Sequence, residues 1–174
     1  MALHVIIDGY NVIRRSNQLN ILDLQDIQEG REGLQDLMAA YRQAKGHQIT
    51  IVFDGQQASH LGIQRHRIQG MQIVFSGNGE TADEVIKRMA AREGERALIV
   101  SSDRDIIRFA ASRGATTIGA REFEQKVSTA LYSNSGPGTG DHGEDGWRPT
   151  TRKKGPSRRL PKRKRRNNRK LVKL

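Results

Sequence analysis

The chain has 174 residues, no cysteine, 30 lysines and arginines against 19 acids, and a formal net charge of +11. That length holds one ordinary domain with a proper core and an appendage, and the missing cysteine removes disulfides, thiolate metal sites and cysteine nucleophiles. No apolar run approaches the roughly 18 residues of a membrane span, and Asp8 interrupts the N-terminal run too soon for a signal peptide, so no membrane partner and a soluble, cytoplasmic protein are expected.

Leu3 to Ile7 is a mostly apolar, largely β-branched run that stops at Asp8-Gly9-Tyr10-Asn11, the pattern of a buried parallel strand ending at a polar site. Gly9 to Leu22 shows no sustained period and reads as a loop. Asp23 is placed as an N-cap, and Leu24, Ile27, Leu34, Met38 and Tyr41 carry a helix to Gly46. Gly30 and Gly33 weaken that helix by roughly 1 kcal/mol each relative to alanine. Ile49 to Phe53 is a second strand, again closed by an aspartate, Asp54. Gly55 to Gly70 reads as an irregular or partly helical arm, with Arg65 and Arg67 offered as contacts for RNA phosphates.

Gln72 to Phe75 is a short third strand, and Ser76 to Gly79 a turn. Thr81 and Glu84 have the spacing of a capping box, which puts Asp83 in the first turn of a helix whose inward face is Val85, Ile86, Met89 and Ala90. Arg96 to Val100 is the fourth strand, ending at Ser101-Ser102-Asp103. Ser102 and Asp105 repeat the cap-like spacing before a helix that Gly114 stops. Ala115 to Ile118 and Arg121 to Tyr132 complete the alternation as a strand and a helix. Strands alternating with helices predict an α/β fold with a mostly parallel sheet flanked by helices. Right-handed crossovers then gather Asp8, Asp54 and Asp103 at the carboxyl edge of the sheet, with Asp83 beside them.

Carboxylates brought together without matching lysines or arginines repel one another unless a cation sits among them. Oxygen ligands alone suit Mg²⁺ or Mn²⁺, ions that bind through a few carboxylates and phosphate oxygens and activate water for attack on phosphorus.

Asp8-Gly9-Tyr10-Asn11 after a first strand, Thr81-Ala82-Asp83 opening a helix and Ser101-Ser102-Asp103 closing a later strand resemble, in that order, the NYN domain of the PIN-like nuclease superfamily, most nearly its bacterial YacP-like branch. The resemblance spans about residues 3–132. It implies a Rossmann-like sheet of PIN type, metal-dependent endoribonuclease activity and, in part of that branch, cleavage of mRNA on the ribosome. Position by position, Asp8, Asp83 and Asp103 match the metal-binding acids, Asn11 matches the residue that orients the site, and Asp105 is a further candidate acid.

The charge divides unevenly along the chain. Arg148 to Leu174 holds 14 basic residues and no acid, whereas residues 1–147 hold 16 basic against 19 acidic. Three parts are therefore expected: a nuclease domain at 1–132, a flexible Gly/Ser/acidic linker at 133–147 and a disordered polybasic tail at 148–174. In the tail Arg158, Arg159, Lys162, Arg163, Lys164, Arg165 and Arg166 are the candidate contacts to mRNA, rRNA or a ribosome. The rival expectation is a noncatalytic RNA-binding or ribosome-associated factor on the same fold. A nucleotide-binding Rossmann domain is disfavoured because no Gly-x-Gly-x-x-Gly follows the first strand.

Overall fold

The computed structural model describes residues 3–55, 63–77, 79–134 and 162–174. Val5, Ile6 and Ile7 have no exposed surface. They lie in β1 (His4–Asp8), which pairs in parallel with β2 (Gln48–Phe53) on one side and β5 (Ala97–Val100) on the other. β4 (Met71–Phe75) extends the sheet beyond β2, and β6 (Thr116–Ile118) extends it beyond β5, both in parallel. β3 (Gln64–Ile68) closes the β4 side antiparallel, which gives the order β3-β4-β2-β1-β5-β6.

Both faces are covered, and β1 shows how. Val5 and Ile7 enter one core and Ile6 the other, as the two-residue period of a strand requires. The first core is roofed by α1 (Gly9–Arg15), α2 (Asn17–Gln25), α3 (Ile27–Lys45) and α6 (Ala120–Asn134). The second is roofed by α4 (Ala82–Glu93) and α5 (Arg104–Ser112). The mostly parallel α/β sheet expected from the alternation is therefore present. Among the described residues no helix is long and apolar enough to cross a membrane.

The structure corrects the sequence reading at three places. Gly9 to Leu22 is not a loop: Asp8 caps α1, and Ser16 ends α1 and caps α2. Asp26, not Asp23, caps α3, its side chain accepting from the Gln28 N–H. Gly30 and Gly33, which weaken α3 as an isolated helix, let α2 lie close against it. A Cβ on Gly30 would meet the Asp23 side chain at 2.9 Å, and one on Gly33 would meet Leu22 at 2.8 Å.

The second correction is the arm at Gly55 to Gly70. Its described end is the edge strand β3, joined to β4 by Gln69 and Gly70, both at positive φ. That is the left-handed geometry that two-residue hairpin turns favour.

The third correction is at the end of the tail. Residues 162–174, expected to be disordered, contain α7 (Lys162–Val172). Leu174 is buried, the Tyr41 hydroxyl donates to its carbonyl at 3.3 Å, and Lys126 Nζ donates to the Leu171 carbonyl at 2.7 Å. Arg166 pairs with Glu95, so part of the basic run is neutralised against the body. Arg158, Arg159 and most of the expected linker lie outside the described residues.

Candidate active site

α1 begins at the end of β1 with no intervening loop. Gly9 permits this, because a Cβ there would stand 2.3 Å from the Phe53 ring. Asp8 thus ends a buried strand and caps a helix at once. Its Oδ1 accepts the Asn11 N–H at 3.3 Å, and its Oδ2 accepts the Ser101 hydroxyl at 2.9 Å. The Ser101 oxygen also accepts the Asp103 N–H at 3.1 Å, so one buried hydroxyl ties the β1 acid to the β5 acid. Asn11 supplies a second tie, its Oδ1 accepting the Ser102 N–H at 2.9 Å.

Asp103 is the N-cap of α5, its Oδ1 accepting from the Asp105 N–H at 2.7 Å and the Ile106 N–H at 3.3 Å. Ser102, which the sequence spacing offers as that cap, instead accepts the Ala120 N–H at 3.2 Å. Asp83 stands in the first turn of α4. The capping box expected there is formed, with the Thr81 N–H donating to Glu84 at 2.8 Å and the Glu84 N–H to Thr81 at 3.3 Å.

Asp8, Asn11, Asp54, Asp83 and Asp103 line one cleft of about 690 Å³ at the carboxyl ends of the strands, where open parallel sheets place their ligands. Burial pushes the Asp8 carboxyl up to about 6, against the hydrogen bonds from Ser101 and Asn11 and with the charges of Asp83 and Asp103 adding to it. Burial also raises Asp83, helped by Asp103 and opposed by Lys87. These acids therefore feel one another's charge. Among the described residues, however, no three acidic or histidine side chains stand close enough to form a ready-made metal cage.

Three sets of predicted residues lie outside this cleft. Asp105 turns to Lys87, which pairs with it and holds its carboxyl below the usual range. Arg65 and Arg67 sit on the edge strand and line a different cleft. Of the tail candidates, α7 carries Lys162, Arg163, Lys164, Arg165 and Arg166, and it packs beside β6 rather than over the acids. Sequence reasoning missed the cations that do line the acidic cleft, Arg14, Arg15 and Arg121. The available signal was helical spacing: Arg14 lies three residues past Asn11, on the same side of α1. Tyr10 lines the cleft too, with the Arg14 and Arg31 guanidinium groups 5.5 and 5.4 Å from its ring centre. Arg31 Nε donates to the Tyr10 hydroxyl at 2.8 Å.

A mostly parallel sheet of this order, with acids from two strand ends and one helix start facing a common cleft, defines a PIN-like nuclease fold. The chain belongs to the YacP-like NYN domain family, whose sequence profile matches residues 5–167. The match continues well past the residues that carry the motif resemblance and reaches into α7. Among its relatives is the uncharacterized protein YacP of Bacillus subtilis (strain 168), 30% identical over 130 residues that make up 72% of this chain and 75% of that one. The crystal structure of Rae1 (YacP) from Bacillus subtilis superposes with a TM-score of 0.61 at 27% identity, covering 77% of this chain and 78% of that one. A mutant of the same protein gives 0.63 at 27% identity, over 75% and 78%.

Proposed function

We propose that the chain is a metal-dependent endoribonuclease whose chemistry takes place in the cleft of Asp8, Asp83 and Asp103. The observation that carries this reading is electrostatic. Three carboxylates from separate elements face one cleft, and the most buried of them resists ionisation because burial desolvates it and the charges of Asp83 and Asp103 add to that cost. The donor set fits Mg²⁺ or Mn²⁺ held directly by one or two carboxylates and through water by the rest, and does not fit an all-protein cage. When bound, such an ion activates water for attack on phosphorus and neutralises charge on the leaving oxygen.

The chain's own groups do the rest. Ser101 and Asn11 fix Asp8 and the start of α5 relative to each other. Arg14, Arg15 and Arg121 line the same cleft as the acids and are the groups that would hold substrate phosphates there. The family relationship favours RNA, and ribosome-bound mRNA is the substrate we assign, with mRNA, rRNA or the ribosome as partner and the cytoplasm as the site of action.

Incubation with single-stranded RNA and with translating ribosomes, in Mg²⁺ or Mn²⁺ and in EDTA, tests the reading. Cleavage should require the metal and disappear in Asp8→Asn and Asp103→Asn. Metal-independent cleavage, or cleavage that survives both substitutions, rules it out. Among the described residues no preformed cage stands in the cleft, which favours a second reading, a noncatalytic RNA-binding or ribosome-associated factor. That factor would bind RNA equally well with and without Mg²⁺ and never cut it.

A further inference from the structure

The amino ends of the parallel strands, the edge away from the acids, carry a second cleft of about 500 Å³. Arg42 reaches it from the last turn of α3, and Arg65 and Arg67 reach it from β3. The two strand arginines are two residues apart and so share one face. Among the described residues no acid lines this cleft, and none pairs with these three arginines. Elsewhere Arg88, Arg92 and Arg166 each hold a carboxylate. Unneutralised guanidinium charge is thus gathered here, on a body whose acids outnumber its bases.

The cleft also adjoins the residues that follow α7. His47 lines it and lies 3.4 Å from the Lys173 carbonyl, and Lys45 and Lys173 both bear on the His47 ring electrostatically. A basic band therefore runs from the end of α7 to β3. β2 separates it from the acidic cleft by six residues, roughly 20 Å of extended chain, so a phosphate in one cleft cannot reach the other.

From this geometry we propose that the cleft of Arg42, Arg65 and Arg67 binds the phosphate backbone of RNA, at a segment separate from the strand presented to the acids. It anchors the protein while the opposite edge works. Guanidinium forks match phosphate oxygens in pairs, and a site that reads only backbone charge suits a folded RNA. The proposal rests on the RNA-directed reading above and adds a second contact to it.

The test is binding of the full chain in EDTA to a fluorescein-labelled RNA hairpin, followed by anisotropy over a salt series. Arg65→Gln with Arg67→Gln should lower the slope of log affinity against log salt by about 1.5, and adding Arg42→Gln should lower it by a further ~0.8. Lysine at the same positions should keep the slope, since the charge remains. Arg108→Gln with Arg113→Gln, on α5 and at its C-cap, should leave it unchanged. An unchanged slope in the cleft variants, or an equal fall in the α5 variant, overturns the site. Displacement of the hairpin by poly-glutamate as effectively as by unlabelled RNA would assign the cleft to an acidic protein instead and also overturn the proposal. Thermal unfolding of each variant, matching the parent, secures the comparison, and the Arg65/Arg67 pair stands by itself if Arg42→Gln disturbs the turn at Gly70. Because no turnover is read, an absence of cleavage would sink the proposed function and leave this result intact.

Discussion

Asp8→Asn should make the metal-free protein more stable at neutral pH, although it removes a side chain central to the site. Burial raises the Asp8 carboxyl from 3.8 to about 6, so the fold prefers the neutral acid. The contribution of that preference is fully present below the unfolded value of 3.8 and is lost as pH rises through about 6. Two units correspond to about 3 kcal/mol once the group is forced to ionise. Asparagine cannot ionise, and its carbonyl can still accept the Asn11 N–H. It loses the charge-assisted bond from Ser101, at a cost of about 1–1.5 kcal/mol. The net gain above pH 7 is about 1.5–2 kcal/mol, or a melting temperature about 3–8 °C higher for a chain of this size. Below pH 4 the acid is neutral in both states, so only the weakened Ser101 bond remains and the variant should melt below the parent. Thermal unfolding by circular dichroism in EDTA across that range measures the difference. A difference that keeps one sign at every pH, or a variant less stable than the parent at pH 8, would refute the electrostatic account of the cleft. Mn²⁺ should then raise the parent's melting temperature and leave Asp8→Asn nearly unmoved.

Arg14→Gln and Arg121→Gln should each raise KM for single-stranded RNA by about tenfold, the loss of one charge-assisted phosphate contact. Their kcat should stay within about twofold, because the chemistry lies with the acids; steady-state cleavage kinetics separate the two effects. Asp105→Asn should change kcat/KM by no more than about twofold, as befits a surface pair with Lys87. A loss as deep as that of Asp103→Asn would return Asp105 to the site. Leu171→Asp with Leu174→Asp should free α7, which limited trypsin digestion reads as faster cutting between Lys162 and Lys173 with the body left intact.

What could be read from the chain followed how locally each feature is determined. β1, β2 and β5 are apolar runs buried on both faces, so their ends, and the aspartates there, stood out without any knowledge of neighbours. The Thr81/Glu84 box is equally local and was found. α1 and α2 were hidden because each is short and starts from a residue with another claim on it: Asp8 looked like a site acid and Ser16 like a loop serine. β3 has no apolar alternation, being an edge strand with its polar side chains in water. Ser102 has the spacing of a cap for α5, yet Asp103 takes that role, because the Ala120 N–H holds Ser102 from the start of α6. Arg14 is signalled by its helical spacing from Asn11, whereas Arg15 and Arg121 reach the cleft because α1 and α6 begin beside it, a tertiary fact that no local spacing contains.

The capping and site roles of Asp8 and Asp103 are not alternatives. In each residue Oδ1 takes the helix N–H groups, which fixes the carboxylate and sets its charge against the positive end of a helix dipole. Three acids can therefore face one cleft with, among the described residues, only Lys87 of the lysines weighing against them. In Asp103 the second oxygen is not part of the cap, and in Asp8 it takes the Ser101 hydroxyl, which also receives the Asp103 N–H. The cap thus aims the carboxylate, and in Asp8 burial and the neighbouring acids oppose its ionisation. Replacing either aspartate by asparagine leaves a cap in place and removes the charge, whereas alanine removes both and costs about 1 kcal/mol more. Asparagine is consequently the substitution that isolates the electrostatics on which the cleft depends.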